Sequence, residues 1–448
     1  MHYTPLLLPL LSFSLTVSAD AFTRHPRKHA LEIAKIRHEI QENRDARDYR
    51  IPASRSANGK RLVRKKRAVC QVSFPNNTIS TSSSATYPDI TSTSTLGQNG
   101  WAHGSSTKTS SARPSATSHS NSNSDWTLVK THSGNSFFDE WDFWQWDDPT
   151  HGTVSFQSAD AAWSQGLVSV NGNGHAMMKV DTTQNVQGGR KAIRITTQRA
   201  FTGGMVLMDA YHMPTGCGTW PAWWQNGPNW PNGGEIDILE GVNAFTQNQV
   251  SLHTGSGCKM PNNLNNNQLG SLTTGGFDSY NCASYETSNQ GCGVRDGTND
   301  NSYGTGFNNV NGGVYAMVWD KAGIKVWWFP RSSIPFDITN ETPDPSGWGT
   351  PVANFVSDQC DPYTYFYDHV NIFDTTLCGD WAGADSVWNY AGYAGQGQSC
   401  ASITGYSTCS DFVLNSGSSF NEAYWEVSER FLFPIFTFHF FIASHLDL

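Results

Sequence analysis

The chain has 448 residues, of which 15% are charged and 12% aromatic, with 17 Trp, 41 Gly and 20 Pro. So few charges among so many rings and turn formers exclude a coiled coil, a helical bundle or a wholly disordered chain, and suit a β-rich domain with long loops. The net charge of −9 is unevenly divided: Asp20 to Arg67 carry 15 Lys/Arg against 6 Asp/Glu, the remainder 14 against 32, so the main body lacks the positive field that nucleic-acid binding requires.

Leu6 to Ala19 is an apolar run ending in the small residues Val17-Ser18-Ala19. It is too short for a comfortable membrane span and has the cleavage pattern of a secretory signal, so residues 1–19 are expected to be removed and the protein to be extracellular or in the cell wall. Residues 20–67 form a basic segment ending in Arg64-Lys65-Lys66-Arg67, which reads as a pro-segment cut after Arg67 or as a solvated basic arm. In residues 68–125 hydrophobic periodicity is absent and about half of the positions from Asn76 to Ser124 are Ser or Thr. Such a stretch cannot offset its ordering entropy by burial and reads as a disordered linker or stalk of the composition that carries O-glycans. Asn76-Asn77-Thr78 and Asn340-Glu341-Thr342 are N-glycosylation sequons.

Folding is expected to begin near Asp125. Eight of the nine cysteines (Cys217, Cys258, Cys282, Cys292, Cys360, Cys378, Cys400, Cys409) lie beyond that point, with Cys70 outside. An even set in an oxidising compartment predicts disulfides, and spacing does not choose among the pairings; none has zinc-finger spacing. From here onward β-branched and aromatic stretches recur about every ten residues, for example Lys191 to Thr197, Gly204 to Asp209, Gly313 to Trp319 and Gly323 to Phe329. No long stretch holds a 3.6-residue period, so the fold class is all-β, a sandwich or barrel. No helix face suggests an oligomer, and a monomer is expected.

The sharpest feature is Gly233-Gly234-Glu235-Ile236-Asp237-Ile238-Leu239-Glu240-Gly241. On a regular strand Glu235 and Asp237 share a face and Glu240 points away. A β-bulge at Ile238-Leu239 would bring Glu240 back to that face. Two carboxyls about 5–5.5 Å apart suit a retaining glycosidase: one ionised to attack an anomeric carbon, the other protonated to release the leaving oxygen. Asp237, between them, could tune either. A calcium site and a hydrated edge strand are the alternatives; the first usually draws its oxygens from a loop, and the second does not explain the interleaved apolar residues. Gly218 to Trp224 and Asn229-Trp230-Pro231 place several tryptophans just upstream, as platforms for sugar rings or, for Trp220 and Trp224, as core. His253 falls on the next strand-like segment.

The acid motif, together with Gly216 to Trp224 before it, Leu252-His253-Thr254 after it, Phe137 to Phe156 and Thr376 to Gly383, resembles the fungal endo-1,3(4)-β-glucanases of glycoside hydrolase family 16, in their laminarinase-like branch. The resemblance covers residues 126–427. It implies a concanavalin-like β-jelly-roll sandwich with a concave substrate face, and retaining hydrolysis of β-1,3 or mixed β-1,3/1,4-glucan. By motif position it assigns Glu235 as nucleophile, Asp237 as its assistant and Glu240 as general acid/base, and places Trp223, Trp230, His253 and Trp381 near the cleft. A β-glucan is the expected partner, and no cofactor or metal is expected. A wall-remodelling transglycosylase and a non-catalytic glucan-binding protein are the other readings. One departure concerns residues 428–448: where the family closes with a strand, this chain runs into the apolar stretch Phe431 to Ala443. A mispredicted gene end or a C-terminal lipid-anchor signal would explain it, and the absent strand would leave a sheet edge open.

Overall fold

A computed structural model describes residues 126–261, 267–273 and 280–433. The expected signal, basic and Ser/Thr-rich segments of residues 1–125, and residues 434–448, lie outside them. Two eight-stranded sheets face one another. Across the first, in spatial order, run Ser271–Leu272, Cys292–Arg295, Gln249–His253, Glu235–Glu240, Thr219–Asn226, Val370–Leu377, Arg194–Thr197 and Trp141–Phe143. The second comprises Ala353–Val356, Gly323–Pro330, Gly313–Asp320, Gly204–His212, Tyr424–Phe433, Ala176–Lys179 and Val168–Val170, with Lys130–Ser133 paired beside Tyr424–Phe433. All pairings within these two sheets are antiparallel. This is the jelly-roll sandwich the resemblance implies. Among the described residues the longest helix is the seven-residue Cys409–Asn415, and no helix is long and apolar enough to cross a membrane.

The period-two pattern of the sequence decides which side chains meet. In Gly204–His212, Val206 and Met208 point into the main core between the sheets, whereas Met205 and Leu207 join a second cluster with Trp327 and Trp348 on the outer face. This sheet is therefore covered on both sides, and its strands read as nearly continuous apolar runs. Each fully buried Leu, Val or Met there is worth roughly 1.5–3 kcal/mol over exposure. The strands Gly313–Asp320 and Gly323–Pro330 form a hairpin closed by Lys321-Ala322, where Asp320 Oδ1 accepts from the Ala322 N–H at 2.7 Å.

Two expectations change. The stretch Lys191 to Thr197 is broken at Ile193: Arg190–Ala192 pairs with Val154–Phe156 and Arg194–Thr197 joins the first sheet. The closing strand is not missing. Tyr424–Phe433 runs past Val427 through the middle of the second sheet, with Phe431 opposite Leu207 and Leu432 opposite Val206. Placed there, Phe431 to Phe433 extend the ladder to Leu207, Val206 and Met205, which would otherwise be unpaired on that side.

The eight cysteines form four disulfides: Cys217–Cys400, Cys258–Cys360, Cys282–Cys292 and Cys378–Cys409. Two of them fasten the helical segment that follows Val370–Leu377 onto the first sheet.

Candidate active site

The outward face of the first sheet is the floor of a cavity of about 790 Å³, and Glu235, Asp237 and Glu240 all line it. Their shared direction comes from a local irregularity. Asp237 pairs with Trp224 and Leu239 with Trp223, so Ile238 is an extra residue with no partner on the neighbouring strand. Ile236, Ile238 and Leu239 are all fully buried in the core between the sheets. Two consecutive core-facing residues are what a β-bulge permits and a regular strand forbids.

A bulge releases backbone groups that the ladder would have used, and these need partners when buried. Asn248, itself fully buried, supplies them: its Oδ1 accepts from the Glu240 N–H and its Nδ2 donates to the Ile238 carbonyl, both at 2.9 Å. The flanking glycines have equally local reasons. Gly234 has φ +79°, and a Cβ there would meet the Phe366 ring and the Tyr365 carbonyl; a Cβ at Gly241 would come within 2.8 Å of the Tyr303 ring.

Across the strands, Glu235 lies opposite His253 and Asn226, and Glu240 opposite Gln249 and Ala222. His253 Nε2 stands 3.4 Å from Asp237 Oδ2. Trp220 donates from Nε1 to Glu240 Oε1 at 2.8 Å. Burial holds the Glu240 carboxyl well above the usual carboxylate range, reinforced by the charge of Asp237 and to a lesser degree Glu235; the Trp220 hydrogen bond and His253 pull the other way. Burial, with the charge of Glu240, also raises Tyr303 beneath it. Such a site can present a proton at one end of a short strand and a carboxylate at the other. Donor atoms of Glu235, Asp237 and His253 lie within 4.8 Å of one another, close enough to converge on a cation, although Asp237 and His253 already face each other.

Of the tryptophans, Trp230 and Trp381 line the cavity, as does His253. Trp223 does not. It is fully buried and stacks on Phe373, ring centroids 6.2 Å apart, in the core. Strand parity explains the correction: along Thr219–Asn226, Trp220, Ala222, Trp224 and Asn226 face the cavity, and Trp223 faces inward. Trp220 and Trp224, for which sequence left core and cleft both open, are cleft residues.

The sequence reading missed several side chains. Arg194 is held between the rings of Trp144 and Trp224, its Cζ 4.8 and 5.0 Å from their centroids, and faces Asp374 at 3.7 Å. Burial pushes Asp374 up to about 7 against the pull of Arg194. A charged residue inside each of the apolar stretches Lys191 to Thr197 and Asn371 to Leu377 was the available signal. Asn248 and Tyr390 gave none.

The sequence model described as the XgeA-like catalytic GH16 domain matches residues 141–432. A probable glycosidase of Schizosaccharomyces pombe is 42% identical over 67% of this chain and 68% of its own length. A probable endo-1,3(4)-β-glucanase of Aspergillus clavatus is 41% identical over 67% of this chain, which spans 45% of that relative's length. Among solved structures, an elongating family 16 β-1,3-glucosyltransferase matches at 37% identity with a TM-score of 0.61, covering 69% of this chain and all of that one. With its fold in agreement with these matches, the chain belongs to glycoside hydrolase family 16 and carries that family's catalytic domain.

Proposed function

We propose that the protein is a secreted, monomeric endo-β-glucanase that hydrolyses β-1,3 and mixed β-1,3/1,4-glucans with retention of configuration. The observation that carries this reading is one bulged strand directing Glu235 and Glu240 into the same cavity, with burial favouring the protonated form of Glu240. In this scheme the Glu235 carboxylate attacks the anomeric carbon while Glu240 gives its proton to the departing glycosidic oxygen, leaving a covalent glycosyl ester on Glu235. Glu240, now ionised, takes a proton from the incoming water, which attacks the same carbon and frees Glu235. Asp237 adjusts the proton affinity of Glu240 and orients toward His253. The apolar run and the four disulfides support an extracellular location.

The test is hydrolysis of laminarin, lichenan and carboxymethylcellulose by the full chain, with the first-formed anomer read by NMR. Laminarin and lichenan should yield β-anomeric oligosaccharides. Initial α-anomers, or no cleavage of either glucan, would refute the reading. Similarity to a structure titled an elongating glucosyltransferase favours one alternative, in which a sugar hydroxyl replaces the water. Products longer than the starting oligosaccharide would identify it.

A further inference from the structure

We infer that Tyr390 and Tyr393 form an acceptor-side platform that stacks on the leaving portion of the glucan chain, an inference that rests on the roles just proposed for Glu235 and Glu240. The cavity has two distinguishable ends. Near Glu235 stand His253, Asn226 and Trp230, the last edge-on to Tyr285 at 6.1 Å. From Glu240 a continuous line of rings leads the other way: Trp220 on its carboxyl, Trp381 edge-on to Trp220 at 5.6 Å, Phe245 at 6.1 Å from Trp381, and Tyr393 at 5.5 Å from Phe245. The group that protonates a leaving oxygen must adjoin the leaving sugar, so the acceptor portion lies at this end.

Tyr390 and Tyr393 line the same cavity and are 68% and 43% exposed. Large rings so exposed at a cleft rim contribute little to folding, and their free faces fit the apolar face of a pyranose. The Tyr393 half of the platform is also held in place. Arg295 lies 3.8 Å from the Tyr393 ring centroid and donates to Gln249 Oε1 at 2.8 Å, tying the ring to the residue opposite Glu240. The Thr246 N–H donates to the Ala394 carbonyl, and the Ala244 N–H to Gln396 Oε1. A ring fixed in advance loses little entropy on binding.

The experiment compares binding of laminarihexaose by calorimetry to Glu235→Gln and to Glu235→Gln/Tyr390→Ala, with Glu235→Gln/Tyr390→Phe as the ring-preserving control. Loss of the ring should weaken binding roughly three- to tenfold, and the Phe variant should bind as Glu235→Gln does. In the active background, Tyr390→Ala should lower kcat/KM on laminarihexaose by a similar factor, with Tyr390→Phe recovering it. Equal affinity with and without the ring, or a Phe variant as weak as the Ala variant, would overturn the platform. Tyr390-dependent binding by a chain whose wild type cleaves no glucan would instead sink the proposed hydrolysis and leave the platform standing.

Discussion

At the scale of single residues, the site is organised by where protons reside. Burial holds the Glu240 carboxyl well above the usual carboxylate range, and its acidic neighbours, Asp237 first among them, push the same way. In its proposed role as general acid Glu240 works only while it holds its proton, so the activity should fall on the alkaline side as it ionises. Removing a like charge eases that ionisation. Asp237→Asn should therefore shift the alkaline limb of the kcat/KM profile on laminarin toward lower pH; an unmoved or upward-moved limb would contradict the coupling. Glu240→Gln should lower kcat by about 10²- to 10⁴-fold without unfolding the protein, measured alongside the thermal midpoint. Asp374 makes a different prediction, about stability. Its folded-state value of about 7 lies above the ~3.9 of an unfolded aspartate, so the native state holds the extra proton between those limits. That contribution is complete below the lower value and is lost as pH rises through 7. Asp374→Asn should flatten the decline of the melting temperature across this window; a decline equal to that of the wild type would show that other groups cause it.

At the scale of elements, the acid strand depends on a clamp from the turn that leads into the next strand. Parity alone places Glu240 opposite to Glu235, and the extra Ile238 restores it, but the bulge is stable only because Asn248 satisfies the two backbone groups it frees. Asn248→Ala should leave both buried without partners, at a cost of about 1–3 kcal/mol each. The thermal midpoint should fall and kcat should drop with it, whereas Asn248→Asp, which keeps the acceptor for the Glu240 N–H, should retain more of both. Full activity in the Ala variant would show that the bulge holds itself. The same parity argument corrects Trp223. Three tryptophans within five residues look equivalent as a motif, yet alternation sends Trp220 and Trp224 to the cavity and Trp223 to the core. Applying strand periodicity to that segment would have separated them without coordinates, since Trp220 and Trp224 share parity.

At the scale of the molecule, the two sheets bury their common core while the helical segment from Cys378 to Cys409 is attached by cross-links. Cys378–Cys409 and Cys217–Cys400 flank the stretch that contributes Trp381, Tyr390 and Tyr393 to the cavity. Each native disulfide in such a protein is worth roughly 2–5 kcal/mol. Reduction under non-denaturing conditions should lower the melting temperature and reduce activity on long glucans, as seen by scanning calorimetry and an oligosaccharide assay. A reduced protein with unchanged melting and activity would show that packing alone holds the segment.

The sequence by itself determined the all-β class, the cysteine set, the three acids and the need for a bulge between them, because strand periodicity, turn chemistry and carboxylate spacing are local properties written in consecutive residues. Tertiary structure decided which disulfides form, that Phe431 to Phe433 close the second sheet, that Arg194 and Asp374 enter the cleft, and that Asn248 secures the bulge. Most of those facts depend on residues a hundred or more positions apart arriving at one place, and even Asn248, eight residues from Glu240, is aimed at the bulge only once the two neighbouring strands have paired.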